Sequence, residues 1–232
     1  MSLPLIVIRP EPSCAGSVAA GLALGLDTHG YPLFEVQPRG WSIPEGHFDG
    51  LLIGSANALR HAGSALERIR RLPIHAVGES TAEAARGLGF TVASVGVSGL
   101  QSVLDALAAP SRLLRLAGED HIELTPPAGI SMETRIVYAS EPQPMPTELA
   151  ETLRGGAVVL LHSAAAARHF AAECDRLAVP RAQLSLAALG PRIATAAGEG
   201  WDTVRTATVP TEAALLALAA DLCHASSGRE GR

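Results

Sequence analysis

Two short segments of this sequence carry small and hydroxyl-bearing side chains of the kind that bind anions, and each segment occurs twice. Residues 52–61 read LIGSANALRH and residues 160–169 read LLHSAAAARH, with six of ten positions identical. Residues 76–85, AVGESTAEAA, return as residues 188–197, ALGPRIATAA, so the two offsets are 108 and 112 residues. An ordered pair of motifs at nearly one offset predicts two copies of one α/β domain, with a ligand cleft between them.

Each repeated segment consists of an apolar run, a small residue and the start of a helical pattern. Ligands of open α/β sheets bind at the carboxyl ends of the strands. Helix N-termini at those ends attract anions because their first N–H groups are unpaired and the helix dipole is positive there. The predicted substrate-binding residues at these junctions are Ser55, Ala56, Gly78, Thr81, Ser163, Ala164, Gly190 and Pro191. The alternative for each hydroxyl is a helix cap without a ligand, but the repetition favours a site for several carboxylates or phosphates.

Two further side chains could act on such a ligand. Arg9 follows the first apolar run and could hold a carboxylate through two N–H groups, unless it is a surface arginine that only precedes the turn at Pro10. Tyr138, one of two tyrosines, lies at a predicted domain junction. Its hydroxyl could donate a proton or a hydrogen bond to the ligand, and the alternative is a half-buried structural tyrosine.

The composition excludes several classes of function. Net charge is −5, which argues against a nucleic-acid groove. All 18 basic residues are arginines, so the chain has neither the lysine of a phosphate-binding P-loop nor an amine for a Schiff base. The eight histidines do not fall at metal-ligand spacing with cysteine or acidic residues. We therefore expect no cofactor and no metal.

The cysteines and the apolar runs indicate a cytoplasmic protein. Cys14, Cys174 and Cys223 are odd in number, widely spaced and without a C-x-x-C pair, as expected of reduced thiols. The first ten residues lack the charged leader and cleavage site of a signal peptide and are typical of a first strand. No apolar stretch approaches the roughly 20 residues of a membrane span.

The remaining pattern alternates strands and helices. Apolar runs predict strands at 5–8, 33–37, 51–54, 74–77, 91–95, 113–117, 135–138, 157–161, 186–189 and 203–206. Helical patterns lie at 15–26, 56–70, 80–89, 101–108, 164–177, 193–197 and 212–223. Ser13 is the expected N-cap of the first helix, and Ser80 with Glu83 forms a capping-box pattern. The tail from residue 224 is expected to be disordered. Such alternation predicts parallel sheets that are covered by helices on both faces.

The Pro- and Gly-rich breaks divide this pattern into two domains. They lie at 38–46 and 140–146, beside the extended stretches 33–37 and 135–138, which could pair as a two-strand bridge. We therefore expect a discontinuous domain of residues 1–37 plus 143–232 and an inserted domain of residues 41–137. The hinge segments are then 38–40 and 138–142.

The order of motifs along the whole chain resembles that of the uroporphyrinogen-III synthase family. The motifs are R-P, S-A-N-A, V-G-x-x-T-A-x-A-A-x-x-L-G, G-E, V-Y, S-A-A-A, L-G-P and P-T-x-A-A-L-L. The resemblance implies two flavodoxin-like domains with parallel sheets, joined by a two-strand linker, in a monomeric enzyme without cofactor or metal. The sequence departs from the family at Ile193, where threonine is common, and in the region after Leu116, A-G-E-D-H, which lacks the arginine and second glycine often seen as R-G-E.

The resemblance also implies a reaction, the closure of hydroxymethylbilane to uroporphyrinogen III in porphyrin and heme biosynthesis. The terminal hydroxyl leaves as water, an azafulvene forms, and a spiro intermediate inverts ring D. By resemblance, Tyr138 helps the hydroxyl to leave, while Thr81, Ser55 and Ser163 match family residues of the site. The substrate is a linear tetrapyrrole with eight carboxylates, with possible hand-over from the preceding pathway enzyme. Because the activated chain closes spontaneously to the wrong isomer, the task is one of orientation.

Two alternatives remain open at this point. One is a two-domain protein that binds a polyanion without chemistry, since the fold alone allows it. The other is a degraded paralogue, which Ile193 leaves possible. An assay that resolves type I from type III product distinguishes both from the enzyme.

Overall fold

The computed structural model describes residues 2–97 and 99–225, and within them the chain forms two compact units. One consists of Met1–Glu35 and Glu141–Arg232, and the other of Val36–Ser140. We call them the terminal unit and the inserted unit. Most of the predicted tail, residues 226–232, lies outside the described residues.

The elements of both units follow in chain order. They are β1 (Leu5–Val7), α1 (Ser13–Ala23), β2 (Thr28–Gly30), β3 (Phe34–Pro38), β4 (Gly50–Ile53), α2 (Ala56–His61), α3 (Ala65–Ile69), β5 (Ile74–Val77), α4 (Glu79–Gly87), β6 (Val92–Gly96), α5 (Leu100–Asp105), β7 (Ser111–Gly118), β8 (Ile130–Pro142), α6 (Thr147–Arg154), β9 (Ala157–Leu161), α7 (Ala164–Arg176), a 3-10 turn (Arg181–Gln183), β10 (Leu184–Ala188), α8 (Pro191–Ala196), β11 (Thr203–Thr206) and α9 (Glu212–Ala225).

The terminal unit is built on a five-stranded sheet with the order β11-β10-β9-β1-β2, and its pairs are parallel. Successive residues of a strand point to opposite faces. Leu5 and Val7 accordingly pack into one core cluster, and Ile6 and Ile8 into another. Both faces are therefore covered, and this explains why β9 and β10 are apolar at nearly every position.

The inserted unit is built on a six-stranded sheet with the order β3-β8-β7-β4-β5-β6. Strands β4 to β8 pair in parallel. At the edge, Gln143 donates a backbone hydrogen bond to Leu33 and Arg39 donates one to Val137, so β3 runs antiparallel to β8. In β4, Leu51 and Ile53 pack into one core cluster and Leu52 into another.

The parallel parts of the two sheets are circular permutants of each other. Taken in chain order, the parallel strands of the inserted unit are arranged 3-2-1-4-5, and those of the terminal unit 2-1-3-4-5. Both are doubly wound orders. If the count in the terminal unit starts at β9 instead of β1, its order also becomes 3-2-1-4-5. Strand β4 then corresponds to β9, and β5 to β10, which places the repeated segments at equivalent positions.

The predicted α/β class with parallel sheets is confirmed. The strands that contain the two extended stretches, β3 and β8, do pair, but their hydrogen bonds place residues 33–37 beside 139–143 and not beside 135–138. The single helix predicted over residues 56–70 is wrong. Gly63 takes a left-handed conformation, with φ of +68°, and ends α2 before α3 begins. The sequence prediction also missed β2, because a three-residue T-H-G strand has no apolar run, and α6.

Two predicted helix caps are also wrong. The N-cap of α1 is Pro12, and Ser13 is already the first helical residue. Helix α4 begins at Glu79 after Gly78, whose φ of +77° only glycine adopts readily, so Ser80 lies inside the helix and cannot close a capping box. The N-cap position lies one residue before the predicted serine in α1 and two residues before it in α4.

Candidate functional site

The inserted unit contains a cavity of about 560 Å³ at the carboxyl ends of its central strands. Its wall is formed by the ends of β4, β5 and β7, the N-terminal end of α5, the loop that follows β7, and Tyr138 on β8. Within the sheet, β4 is flanked by β5 on one side and by β7 on the other, so the strand order reverses direction at β4. Ligands of doubly wound sheets bind at such a switch point, so this cavity is where the topology predicts a ligand.

Tyr138 lines this cavity and lies against the backbone of Gly118. A Cβ atom built on Gly118 would stand 2.6 Å from Cζ and 2.8 Å from the hydroxyl oxygen of Tyr138. The register between β7 and β8 shifts at this point, between Ala117 and Gly118. The bulge and the missing side chain together allow the phenol ring to sit over the end of β7.

Ser55 is the second predicted residue that lines the cavity. Its backbone is extended, and its Oγ accepts a hydrogen bond of 3.2 Å from the backbone N–H of Asn57. Ser55 is therefore the N-cap of α2, and it retains a hydroxyl proton that a ligand oxygen could accept. Ala56 is buried in the first turn of α2.

The other predicted residues of the inserted unit lie at the start of α4. Gly78 forms the N-cap position without a side-chain cap, and Thr81 is buried with 4% of its surface exposed. Val77, directly before them, lines the cavity. Neither Gly78 nor Thr81 is among the residues that line the cavity, and Thr81 is buried in the first turn of α4.

The predicted residues of the terminal unit lie at equivalent helix starts. Ser163 caps α7, and its Oγ accepts a hydrogen bond of 3.1 Å from the N–H of Ala166. Gly190 precedes Pro191, which is the first residue of α8. Ile193 packs against the core of this unit, so the position where the family often has threonine contributes apolar contact here.

Arg9 belongs to a polar cluster of the terminal unit that sequence reasoning did not foresee. Its Nη1 lies 3.0 Å from the carboxylate of Glu212, to which Ser17 also donates a hydrogen bond. The Nε2 atom of His162 lies 3.0 Å from the same carboxylate. Burial alone would raise the pKa of Glu212, but the hydrogen bonds from His162 and Ser17 and the charges of His162 and Arg9 lower it to about 2. Arg9 thus has a carboxylate partner within its own unit.

The sequence prediction missed Arg115, which lines the cavity from the middle of β7. Only 4% of its surface is exposed, although arginine is rarely buried without a partner. The available signal was a charged residue inside the otherwise apolar run L-L-R-L. His121 was missed too; it lines the same cavity and lies 2.9 Å from the carbonyl oxygen of Gly118 through Nδ1.

Metal sites and membrane spans are both missing from the described residues. Across residues 2–97 and 99–225, no group of three or more histidine, cysteine or acidic side chains is placed to hold a metal ion. None of the helices in the described part of the chain has the length and apolar character of a membrane span.

The comparison with family models decides which proteins this chain is related to. A model of the family described as uroporphyrinogen-III synthase HemD matches residues 18–217. The chain belongs to the uroporphyrinogen-III synthase family. It is therefore an enzyme of tetrapyrrole biosynthesis, and the reaction of its family acts on a tetrapyrrole. The function expected from the motif order is confirmed at this level.

Solved structures of uroporphyrinogen-III synthases share its fold. The enzyme of Helicobacter pylori 26695 superposes with a TM-score of 0.65 at 16% identity, over 95% of this chain and 99% of that one. A mutant enzyme of Thermus thermophilus gives a TM-score of 0.51 at 15% identity, over 96% of this chain and 99% of that one. No curated protein matches the chain. At these low sequence identities, the structural comparison shows a shared fold alone.

Proposed function

We propose that this chain closes hydroxymethylbilane to uroporphyrinogen III, with loss of water and inversion of ring D, as a cyclising hydro-lyase. The observation that carries the proposal is the family match over residues 18–217. The cavity at the switch point of the inserted unit supports it, because this is the position where a doubly wound sheet binds its ligand.

In this proposal Tyr138 assists the first step. Tyr138 lines the cavity, and its ring lies against Gly118. The phenol O–H transfers its proton to the terminal hydroxyl of the substrate while the C–O bond breaks, so that the oxygen leaves as water. The lone pair of the pyrrole nitrogen compensates for the broken bond, and the pyrrole N–H then releases its proton to the phenolate, which gives the neutral azafulvene and restores Tyr138. Tyr138 is the single catalytic residue that we assign.

Orientation supplies the rest of the catalysis. The substituted α-carbon of ring D must attack the azafulvene carbon, which gives the spiro intermediate. Attack by the free α-carbon of ring D gives the type I ring instead. Holding the two ends of the substrate in one arrangement is an entropic and steric task, and it does not require a metal ion. A walled cavity lined partly by apolar side chains such as Leu100 and Leu116 suits it.

Substrate carboxylates are the proposed ligands of the predicted binding residues. In the inserted unit these are Ser55, Ala56, Gly78 and Thr81, and in the terminal unit Arg9, Ser163, Ala164, Gly190 and Pro191. Ser55 has the strongest support, since it lines the cavity. Arg9 has the weakest, since it already pairs with Glu212.

We further propose that residues 1–37 plus 143–232 and residues 41–137 act as two domains connected through hinge segments 38–40 and 138–142. The pairing of β3 with β8 supports this proposal, since β3 ends at Pro38, where the first hinge segment begins, and β8 contains the second. The protein is proposed to act as a monomer that receives its substrate from the preceding enzyme. The buried free thiols of Cys14, Cys174 and Cys223 fit a reducing compartment such as the cytoplasm.

The competing proposal is a polyanion-binding protein or a paralogue that has lost its activity. The departure at Ile193 is the observation that favours it, because the hydroxyl of the family's threonine is absent there. Incubation of the purified chain with hydroxymethylbilane, followed by separation of the isomers, tests the proposal. Type III product supports the enzyme, whereas type I product at the uncatalysed rate supports the competitor.

A further inference from the structure

Arg115 is a buried cation whose hydrogen bonds are incomplete. The residue lies within β7, with Leu114 and Leu116 as neighbours, and 4% of its surface is exposed. Its Nη2 donates a hydrogen bond of 2.8 Å to the carbonyl oxygen of Ile122. Its Nε and Nη1 atoms are buried and have no hydrogen-bond partner among the described residues.

An unpaired guanidinium in this position is costly. Burial lowers the pKa of Arg115 and the negative charge of Glu123 opposes that shift, but arginine remains protonated in proteins at any ordinary pH. Removing a charge from water without hydrogen-bonding it is among the least favourable arrangements in a folded protein. Unsatisfied buried groups of this kind point to a missing partner at the site.

The acidic residues nearby do not supply this partner. Asp120 and Glu123 line the same cavity as Arg115, yet neither forms an ion pair with it in the described part of the chain. Glu123 lies 3.4 Å from Nε2 of His121, and 91% of its side chain is exposed. Arg115 therefore lines the cavity with two guanidinium nitrogens that have no partner among the described residues.

We propose that Arg115 binds a carboxylate arm of the substrate inside this cavity. The inference rests on the proposed function, which supplies a linear tetrapyrrole with carboxylates on every ring. Nε and Nη1 together offer three N–H groups, and a carboxylate offers two oxygens that accept charge-assisted hydrogen bonds. One substrate arm would then complete the hydrogen bonding of Arg115 and fix the position of its pyrrole ring in the same cavity as Tyr138.

This role predicts that stability and function change in opposite directions when the arginine is replaced. If Arg115 were structural, Arg115→Leu would destabilise the fold. If Arg115 is instead a ligand-binding residue, Arg115→Leu removes an unpaired buried charge from the ligand-free protein. The urea midpoint of Arg115→Leu then equals or exceeds that of the wild type. The KM for hydroxymethylbilane rises about tenfold to a hundredfold, because a hydrogen bond to a charged group is lost. The kcat changes much less, since the carboxylate is bound equally in ground state and transition state.

The matched control is Arg71→Leu, which removes an exposed arginine of the same unit away from the cavity. Its KM, kcat and urea midpoint stay at the wild-type values. A second variant, Arg115→Lys, keeps the positive charge but loses the planar set of donors. Its KM rises by less than that of Arg115→Leu.

A binding measurement separates this inference from the proposed function. Uroporphyrin III, which carries the same eight carboxylates and needs no turnover, is titrated into each variant and followed by its fluorescence. Weaker binding to Arg115→Leu, with Arg71→Leu unchanged, supports the carboxylate site even if the wild type forms no type III product. Unchanged KM and unchanged uroporphyrin affinity in an active enzyme would overturn the role of Arg115 alone. If Arg115→Leu fails to fold, Arg115 is needed for the stability of the fold. A KM of Arg115→Lys equal to that of the wild type then overturns the proposal.

Discussion

Gly118 and Tyr138 occupy neighbouring strands so closely that no side chain fits between them. A Cβ on Gly118 would lie 2.6 Å from Cζ of Tyr138, well inside van der Waals contact. The two residues lie where the register between β7 and β8 shifts, and both line the cavity of the inserted unit. The position of the tyrosine hydroxyl is therefore set by the absence of a side chain on the next strand.

We predict that Gly118→Ala lowers turnover by displacing the Tyr138 ring. The far end of a tyrosine side chain can move, so the fold should survive with a loss of about 1–3 kcal/mol in the free energy of unfolding. The check is kcat with hydroxymethylbilane together with a urea titration. The control is Gly87→Ala in α4, where an added Cβ meets nothing within 4 Å. The double variant Gly118→Ala, Tyr138→Phe should be no slower than the slower single variant, and additive losses would argue against displacement of the ring.

Tyr138→Phe should lower turnover while leaving the fold nearly intact. General acid assistance typically contributes about 100- to 10,000-fold, and we expect a loss at or below the low end because this hydroxyl group leaves readily. Thr81→Ala should cost less, and the combination should shift the product toward type I. Initial rates, isomer ratios and circular dichroism provide the measurement.

The other tyrosine of the chain serves as the control for that experiment. Tyr31 lies in the terminal unit, and its hydroxyl group faces the carboxylate of Glu148 at 3.4 Å. Tyr31→Phe should keep the wild-type rate. An unchanged rate and isomer ratio for Tyr138→Phe would mean that Tyr138 is structural and that the cavity acts by positioning alone.

Glu173 should make the stability of the terminal unit depend on pH. Hydrogen bonds from Arg176 lower the pKa of this carboxylate to about 2, against the effect of burial, with help from the N–H of Met145. Because the folded pKa lies below the unfolded value, the stabilisation is complete above that unfolded value and is lost as the pH falls toward 2. The advantage of the wild type over Glu173→Gln should therefore shrink by about 2 kcal/mol between about pH 5.5 and about pH 3.

The measurement is urea unfolding of both proteins at a series of pH values. The difference between them isolates Glu173, because the other carboxylates, Glu212 included, are common to both chains. Parallel pH profiles for the wild type and Glu173→Gln would show that the Arg176 pair contributes nothing to the fold.

Much of the sheet architecture could be predicted because strands buried on both faces are continuous apolar runs. Strand β9, which is buried at every position, was placed at its observed bounds from that signal. Strands β5 and β11 were also placed at their observed bounds, although they are only partly buried. Gly63 was not recognised as a helix end, since its left-handed φ depends on the packing of α2 and α3. Strand β2 was not predicted, because its pairing with β1, and not its composition, makes it a strand.

The candidate site was predicted in part. Tyr138 and Ser55 line the cavity, and both were found from their positions at predicted strand ends. Arg115 was not, because the prediction looked for functional groups after the strands and not inside them. Whether a buried arginine has a partner depends on three-dimensional contacts that no spacing rule encodes. The proximity of Gly118 to Tyr138 was hidden for the same reason, since it arises from a shift in register between neighbouring strands.

The isomer composition of the product shows whether this chain catalyses ring inversion. The purified full chain is incubated with hydroxymethylbilane, in EDTA and without added cofactor, and the porphyrins are separated after oxidation. We expect type III as the dominant isomer, formed at a rate proportional to the concentration of the protein and well above that of spontaneous closure. Type I product alone, at the rate measured without protein, would contradict the assignment of this chain as a catalyst of ring inversion.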